Sequence, residues 1–212
     1  MKVFKVNPEK IDMGIIERAA EVLRIGGVVV YPTETLYGLG ANALDVQPAY
    51  KVFEIKGRDI TKPISLAFMD LKHAKKFVYL APAAEKLAEK FLPGPLTLIV
   101  NSKITLDEIF GGDRISIRIP DHTVAKALLE KTKFPITATS ANLSGGKDPV
   151  EIKDVLEQLG DKIDLVLDAG KCKYGKPSTV VDATTDEIKI IREGVIDKKK
   201  LSMKYRNFRL IL

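Results

Sequence analysis

Apolar positions three and four apart predict the first helix, over residues 12–25. Ile15, Ile16, Ala19, Val22 and Leu23 share one face, with Asp12 placed to cap the helix and Gly26 to stop it. The run GVVVY that follows reads as a buried strand. A second helix is predicted from near Pro48, a favoured first-turn residue, to about Lys56. ISLAFM (64–69) reads as a strand, and Asp70 opens a short helix. A helix over 82–92 precedes two strands, PLTLIVN (95–101) and RISIRIP (114–120). Asp121 is placed to cap a helix that runs to about Lys131, and FPITATSA reads as one strand entering a Gly/Ser loop. Residues 149–159 are helical in pattern, and IDLVLDAG, STVVDAT and EIKIIRE are strands. Alternating strands and helices define an α/β class with a covered sheet. The closely spaced late strands make that sheet mixed.

Composition narrows the function classes. The 212 residues are 45% hydrophobic and 29% charged, a globular balance that fits one domain over 1–212. No apolar run approaches the length of a membrane span, and MKVFKVNPEK lacks the apolar stretch of a signal peptide. With a single cysteine, Cys172, these features predict a cytoplasmic protein without disulfides or a Cys-rich metal site. Residues 192–212 hold seven basic and two acidic side chains, so they carry five of the six net positive charges. The body is near neutral, and 197–212 forms a short basic tail. Packing by Phe208, Leu210, Ile211 and Leu212 as an edge strand or lid is the favoured use of that tail, with RNA or partner contact as the other.

The chemistry concentrates at strand ends, where α/β proteins bind ligands. In YPTETLYGLG (31–40), Thr33 and Thr35 alternate, so their hydroxyls share a face around Glu34. In IKGRDITKP (55–63), Lys56 and Arg58 flank Gly57 at a helix end and can converge on one anion, with phosphate as the natural match. TATSANLSGG (137–146) places Thr139, Ser140 and Asn142 where a turn offers donors to a phosphate. Ser178 stands at a strand entrance in GKPSTVVDAT, and Arg192 at a strand exit in IREG. Arg118, on the alternating strand RISIRIP, needs an acidic or carboxylate partner if its face is buried. His73 and His122 lack metal-ligand spacing and read as surface residues. There is no Walker-type loop and no Gly-x-Ser-x-Gly elbow. This set of side chains orients anions and hydroxylated substrates, which suits phosphoryl or nucleotidyl transfer.

From about Ile11 to Ile196 the chain resembles the YrdC-like threonylcarbamoyl-AMP synthase family. The motifs are YPTETLYGLGANA, KGR with KP following, PGPLT, RIP, ATSANLSG, PSTVVD and IREG, in that order. The resemblance implies a YrdC-like twisted mixed sheet flanked by helices, with a deep basic cavity. It implies conversion of L-threonine, bicarbonate and ATP to threonylcarbamoyl-AMP and diphosphate, with Mg2+ accompanying ATP. The product would serve a downstream threonylcarbamoyl transferase complex that modifies tRNA. Carried over by position, Lys56, Arg58, Ser140, Asn142 and Arg192 match the ATP shell, with Lys56 and Arg58 in the catalytic role. Thr33, Thr35, Arg118, Thr139 and Ser178 match the threonine pocket, Arg118 taking the carboxylate.

Two departures and two alternatives accompany that resemblance. Ala67 falls near a position where some relatives carry histidine, and larger relatives continue through a linker into a second domain. Here Tyr205–Leu212 would have to do any gating that the linker does. Carbamoyl-adenylate formation, as in the hydrogenase-maturation protein HypF, is one alternative, disfavoured by the single cysteine. A non-catalytic module binding tRNA or double-stranded RNA is the other, disfavoured by the near-neutral body.

Overall fold

The computed structural model describes residues 1–202 and 210–211. Two mixed sheets carry the architecture. The first has five strands in the order Lys2–Lys5, Leu165–Asp168, Val29–Tyr31, Gly38–Gly40 and Thr139–Ser140. Its first two pairings are parallel and its last two antiparallel. The second sheet runs Leu210–Ile211, Ile188–Arg192, Thr179–Asp182, Leu96–Ser102, Arg114–Arg118, Leu66–Ala67 and Ile136–Thr137. Val78–Tyr79 adds to Leu96–Ser102 from the side.

The segment FPITATSA is two strands, not one. Ile136–Thr137 pairs with Leu66–Ala67 in the second sheet, and Thr139–Ser140 pairs with Gly38–Leu39 in the first. The chain changes sheets at Ala138, whose N–H bonds the carbonyl of Ser65 at 2.7 Å. This crossing ties the two sheets together directly under the Ser-Ala-Asn turn.

Helix Met13–Arg24 is capped by Asp12, as its pattern predicts, and packs Ile16, Ala19 and Leu23 into a core shared with Val124 and Leu128 of helix Thr123–Thr132. A larger core collects Leu39, Leu66, Leu98, Ile117 and Val181 from the sheets, with Phe53, Leu87 and Val155 from helices. Burial of such side chains at roughly 1.5–3 kcal/mol each supplies the main stabilising term.

Several local expectations are corrected. The second helix begins at Val46 under an Asp45 cap, two residues before Pro48. The strand expected over 64–69 is only Leu66–Ala67, and the expected Gly-rich bend contains the strand Gly38–Gly40. Alternation cannot reveal that strand, because glycine has no side chain to alternate. The two glycines are required by the ring of Tyr31 across the pair: a Cβ at Gly38 would lie 2.7 Å from Tyr31 Cζ. The cap of helix Thr123–Thr132 is His122, whose side chain accepts from the N–H of Val124, and not Asp121. Neither histidine is a free surface group. His73 is buried against Phe68 and Phe77, and His122 is occupied as a cap. No helix of the described residues is long and apolar enough to cross a membrane.

Candidate active site

A cavity of about 540 Å3 opens between the two sheets' adjoining ends, and four arginines line it. Its walls include Thr33 and Thr35 from the loop after the buried strand, Arg118 from the strand end, and Thr139 and Ser140 from the crossing. Ser178, Arg192 and Arg58 complete that group. A second cavity of about 320 Å3 shares Arg58 and Ser140 with the first and adds Lys56, Asn142, Lys62, Ser144 and Gly145. The ten residues singled out in the sequence therefore surround two adjoining spaces, though Lys56 and Asn142 line only the smaller one.

Local folding explains each placement. Gly57 ends helix Val46–Lys56 in the left-handed conformation, with φ 55°, so the chain reverses and Arg58 turns back toward Lys62 and Pro63. The Lys56 ammonium donates to the carbonyls of Ser140 and Asn142, the latter at 2.7 Å. Its main-chain carbonyl accepts from the N–H of Ser144 at 2.9 Å. Ser140 Oγ bonds Asn142 Oδ1 at 2.6 Å, and Asn142 Nδ2 bonds the carbonyl of Gly146 at 3.1 Å. The Ser-Ala-Asn turn is thus held in one conformation before any ligand arrives.

On the other side, Arg192 Nη2 donates to the carbonyl of Ser178 at 2.9 Å, and Thr97 and Ser178 share a hydroxyl–hydroxyl bond of 2.8 Å. Gly194 lets this happen: a Cβ there would lie 2.2 Å from the carbonyl oxygen of Pro177. Thr33 and Thr35 do share a face, with their hydroxyls 2.9 Å apart. Arg118 finds the acidic partner its burial demands. Its Nη2 lies 2.9 Å from Glu34 Oε1 and donates to Thr35 as well.

The cations crowd one another. Burial, and then the charge of Arg58, push the Lys56 ammonium down to about 7. Arg58 is lowered from the usual guanidinium range by burial and then by Arg192. Arg192, more open to solvent, is lowered too, by partial desolvation and then by Arg118. A polyanion entering the cavity would oppose all three shifts, since nearby negative charge favours the charged form of each.

Two contributors were missed in the sequence. Thr97, the last residue of the motif PGPLT and a lone hydroxyl within LTLIV, joins Ser178, though the motif alone gave it no role. Glu34 is visible between the threonines, but nothing in the pattern pairs it with Arg118, 84 residues away. Arg114 also lines the cavity and is ion-paired with Asp182.

A family model described as "Telomere recombination" (Sua5_yciO_yrdC) matches residues 21–194. A Methanocaldococcus jannaschii protein named "Putative threonylcarbamoyl-AMP synthase" is 40% identical over 202 residues, spanning 95% of this chain and 96% of that protein. Among solved structures, P. abyssi Sua5 complexed with L-threonine superposes with a TM-score of 0.93 at 34% identity, covering 100% of this chain. This chain spans 63% of the length of that protein. The crystal structure of E. coli YciO gives a TM-score of 0.85 at 28% identity, covering 94% of this chain and 99% of that one.

Proposed function

Because the chain belongs to the Sua5/YciO/YrdC family, we propose that it is an L-threonylcarbamoyladenylate synthase, joining L-threonine, bicarbonate and ATP into threonylcarbamoyl-AMP with release of diphosphate. The observation that carries this reading is the single cavity that Thr33, Thr35, Arg118, Thr139 and Ser178 line together with Ser140, Arg192 and Arg58. The first five offer hydroxyls and a paired arginine, the chemistry for a hydroxylated amino acid. The others offer cations and part of a fixed turn, the chemistry for phosphates.

In the proposed reaction threonine's amine and bicarbonate condense to a carbamate with loss of water. A carbamate oxygen attacks the α-phosphorus of ATP, and the bond to the β-phosphate oxygen breaks to release diphosphate. No covalent enzyme intermediate is needed. The chain's task is to position the carbamate in line with the α-phosphorus and to balance charge as it moves to the leaving group. Arg58, reaching both cavities, is placed for that balance, while Lys56 fixes the turn that carries Ser140 and Asn142.

Among the described residues no three His, Cys, Asp or Glu side chains gather as a metal site. In the proposed reaction magnesium would enter on the phosphates of ATP. The adenylate is a mixed anhydride that water destroys, so a threonylcarbamoyl transferase acting on tRNA is the consumer its chemistry calls for. The test is incubation with ATP, threonine and bicarbonate. Threonine-dependent diphosphate release supports the reading, and threonine-independent release or none refutes it.

A further inference from the structure

Glu34 sits between two threonines of the cavity wall but does not itself line the cavity. It is 2% exposed, and both of its carboxylate oxygens are used within the fold. Oε1 accepts from Arg118 Nη2 at 2.9 Å, and Oε2 accepts from the main-chain N–H of Asp121 at 3.0 Å. The second bond ties the carboxylate to the turn just after the strand that carries Arg118, so donor and acceptor share one rigid frame. Thr33 and Thr35 hydroxyls converge on the same nitrogen, Nη2. Arg118 Nε is buried without a partner, and Nη1 has no hydrogen bond among the described residues. Nη2 is thus saturated, while Nη1 is unspent.

We propose that Glu34 is a positioning residue for amino-acid recognition, anchoring Nη2 of Arg118 so that Nη1 is presented to the substrate carboxylate. This rests on the threonine reading of the cavity. The physical need is clear from the neighbours. Arg118 shares its cavity with Arg58 and Arg192 and repels Arg192, so an unanchored guanidinium would be pushed away from it. An arginine side chain also has considerable rotamer freedom to lose on binding, and prior ordering removes that loss from the binding step. Glu34 supplies both the counter-charge and the ordering without occupying the substrate's place.

The test is steady-state kinetics by diphosphate release, with threonine affinity measured separately by calorimetry. Wild type is compared with Glu34→Gln, Arg118→Ala and the double variant. Glutamine keeps an acceptor for Arg118 but loses the charge and one of the two anchoring acceptors. The expected result for Glu34→Gln is a KM for threonine raised about 10–100-fold, the scale of a misplacement near 1 Å, with the KM for ATP within about twofold. The double variant should be no worse for threonine than Arg118→Ala alone, because Glu34 acts through Arg118. That variant also removes both buried charges, so it keeps the comparison usable if the single variant folds poorly. An unchanged threonine KM in Glu34→Gln overturns the proposal. So does an equal rise in the KM for ATP, or a Glu34→Gln effect undiminished in the Arg118→Ala background. A wild-type protein that binds no threonine removes the functional reading itself, and this inference with it.

Discussion

The Lys56 ammonium is fastened to the turn opposite it: Nζ donates to the carbonyls of Ser140 and Asn142, two residues apart on the far side of the strand crossing. A helix end and a turn 84 residues later therefore move as one unit. Replacing Lys56 with alanine leaves two carbonyls without their donor and removes a cation beside the proposed phosphate site. The expected result is a sharp fall in adenylate formation, with a loss on the order of 2–4 kcal/mol in kcat/KM, while the far-ultraviolet circular dichroism stays native. Arg58→Ala should cost a similar amount, mainly through ATP. Near-normal turnover of either variant at saturating ATP would refute the phosphate assignment.

The same lysine should make nucleotide binding pH-dependent. Burial and Arg58 hold its ligand-free value near 7, against 10.5 for an ordinary lysine. Triphosphate oxygens favour the charged form and raise that value, so binding takes up a proton between pH 7 and the bound value. ATP affinity should then weaken as pH rises above 7, and calorimetry in buffers of different ionisation heat should detect the uptake. Without ligand the sign is opposite. The unfolded chain keeps its proton up to pH 10.5 while the folded one releases it near 7, so this group's contribution to stability rises across that interval. Lys56→Met should flatten both dependences.

Gly194 gives a prediction about packing that reaches the site. A Cβ there would collide with Pro177 and Ser178, and the neighbouring Arg192 bonds the Ser178 carbonyl. Gly194→Ala should destabilise the fold by about 1–3 kcal/mol in denaturant melts and also lower activity, since the strain falls on the pair itself. A variant with wild-type stability and activity would show that the strand can shift without cost.

Helix Met13–Arg24 was legible in the sequence because an apolar stripe, an Asp cap and a Gly stop agree. The ten candidate residues stand in compact motifs at strand ends, and the fold gathers them around two adjoining cavities. The Glu34–Arg118 pair and the Thr97–Ser178 bond were not legible, because both join residues more than 80 positions apart. The strand crossing at Ala138 was hidden as well: TATS reads as one extended run, and nothing local says that its halves pair in different sheets.

Substrate choice follows from the hydroxyl-rich wall. A pocket built to bond threonine's hydroxyl should reject valine, which keeps the shape and lacks that group, by up to ~10⁴-fold in kcat/KM. Serine loses only a methyl and should fall within about 10–200-fold of threonine. Kinetics that rank valine above serine would refute the pocket.

The tail separates charge from packing. Lys198–Ser202 is a short helix whose Lys200 N–H bonds Asp197 Oδ1 at 2.7 Å, and Leu201 is buried beneath it. Leu210–Ile211 then pairs in parallel with Ile188–Lys189, at the edge of the sheet, on the strand whose other end carries Arg192. The remaining tail positions expected to pack, Phe208 and Leu212, and most of the stretch expected to gate, Tyr205–Leu212, lie outside the described residues. An edge strand made by the last residues contributes main-chain bonds to the strand that ends at Arg192. Deleting Tyr205–Leu212 should therefore lower the melting temperature and weaken ATP binding together. Lys198, Lys199 and Lys200 are exposed, and replacing all three with alanine should leave adenylate synthesis unchanged. Any RNA affinity lost with them should be independent of sequence and fall steeply with salt, as contacts to phosphates alone require. A deletion variant that melts at the wild-type temperature and loses only RNA or transferase binding would show that the segment serves a partner, not the sheet.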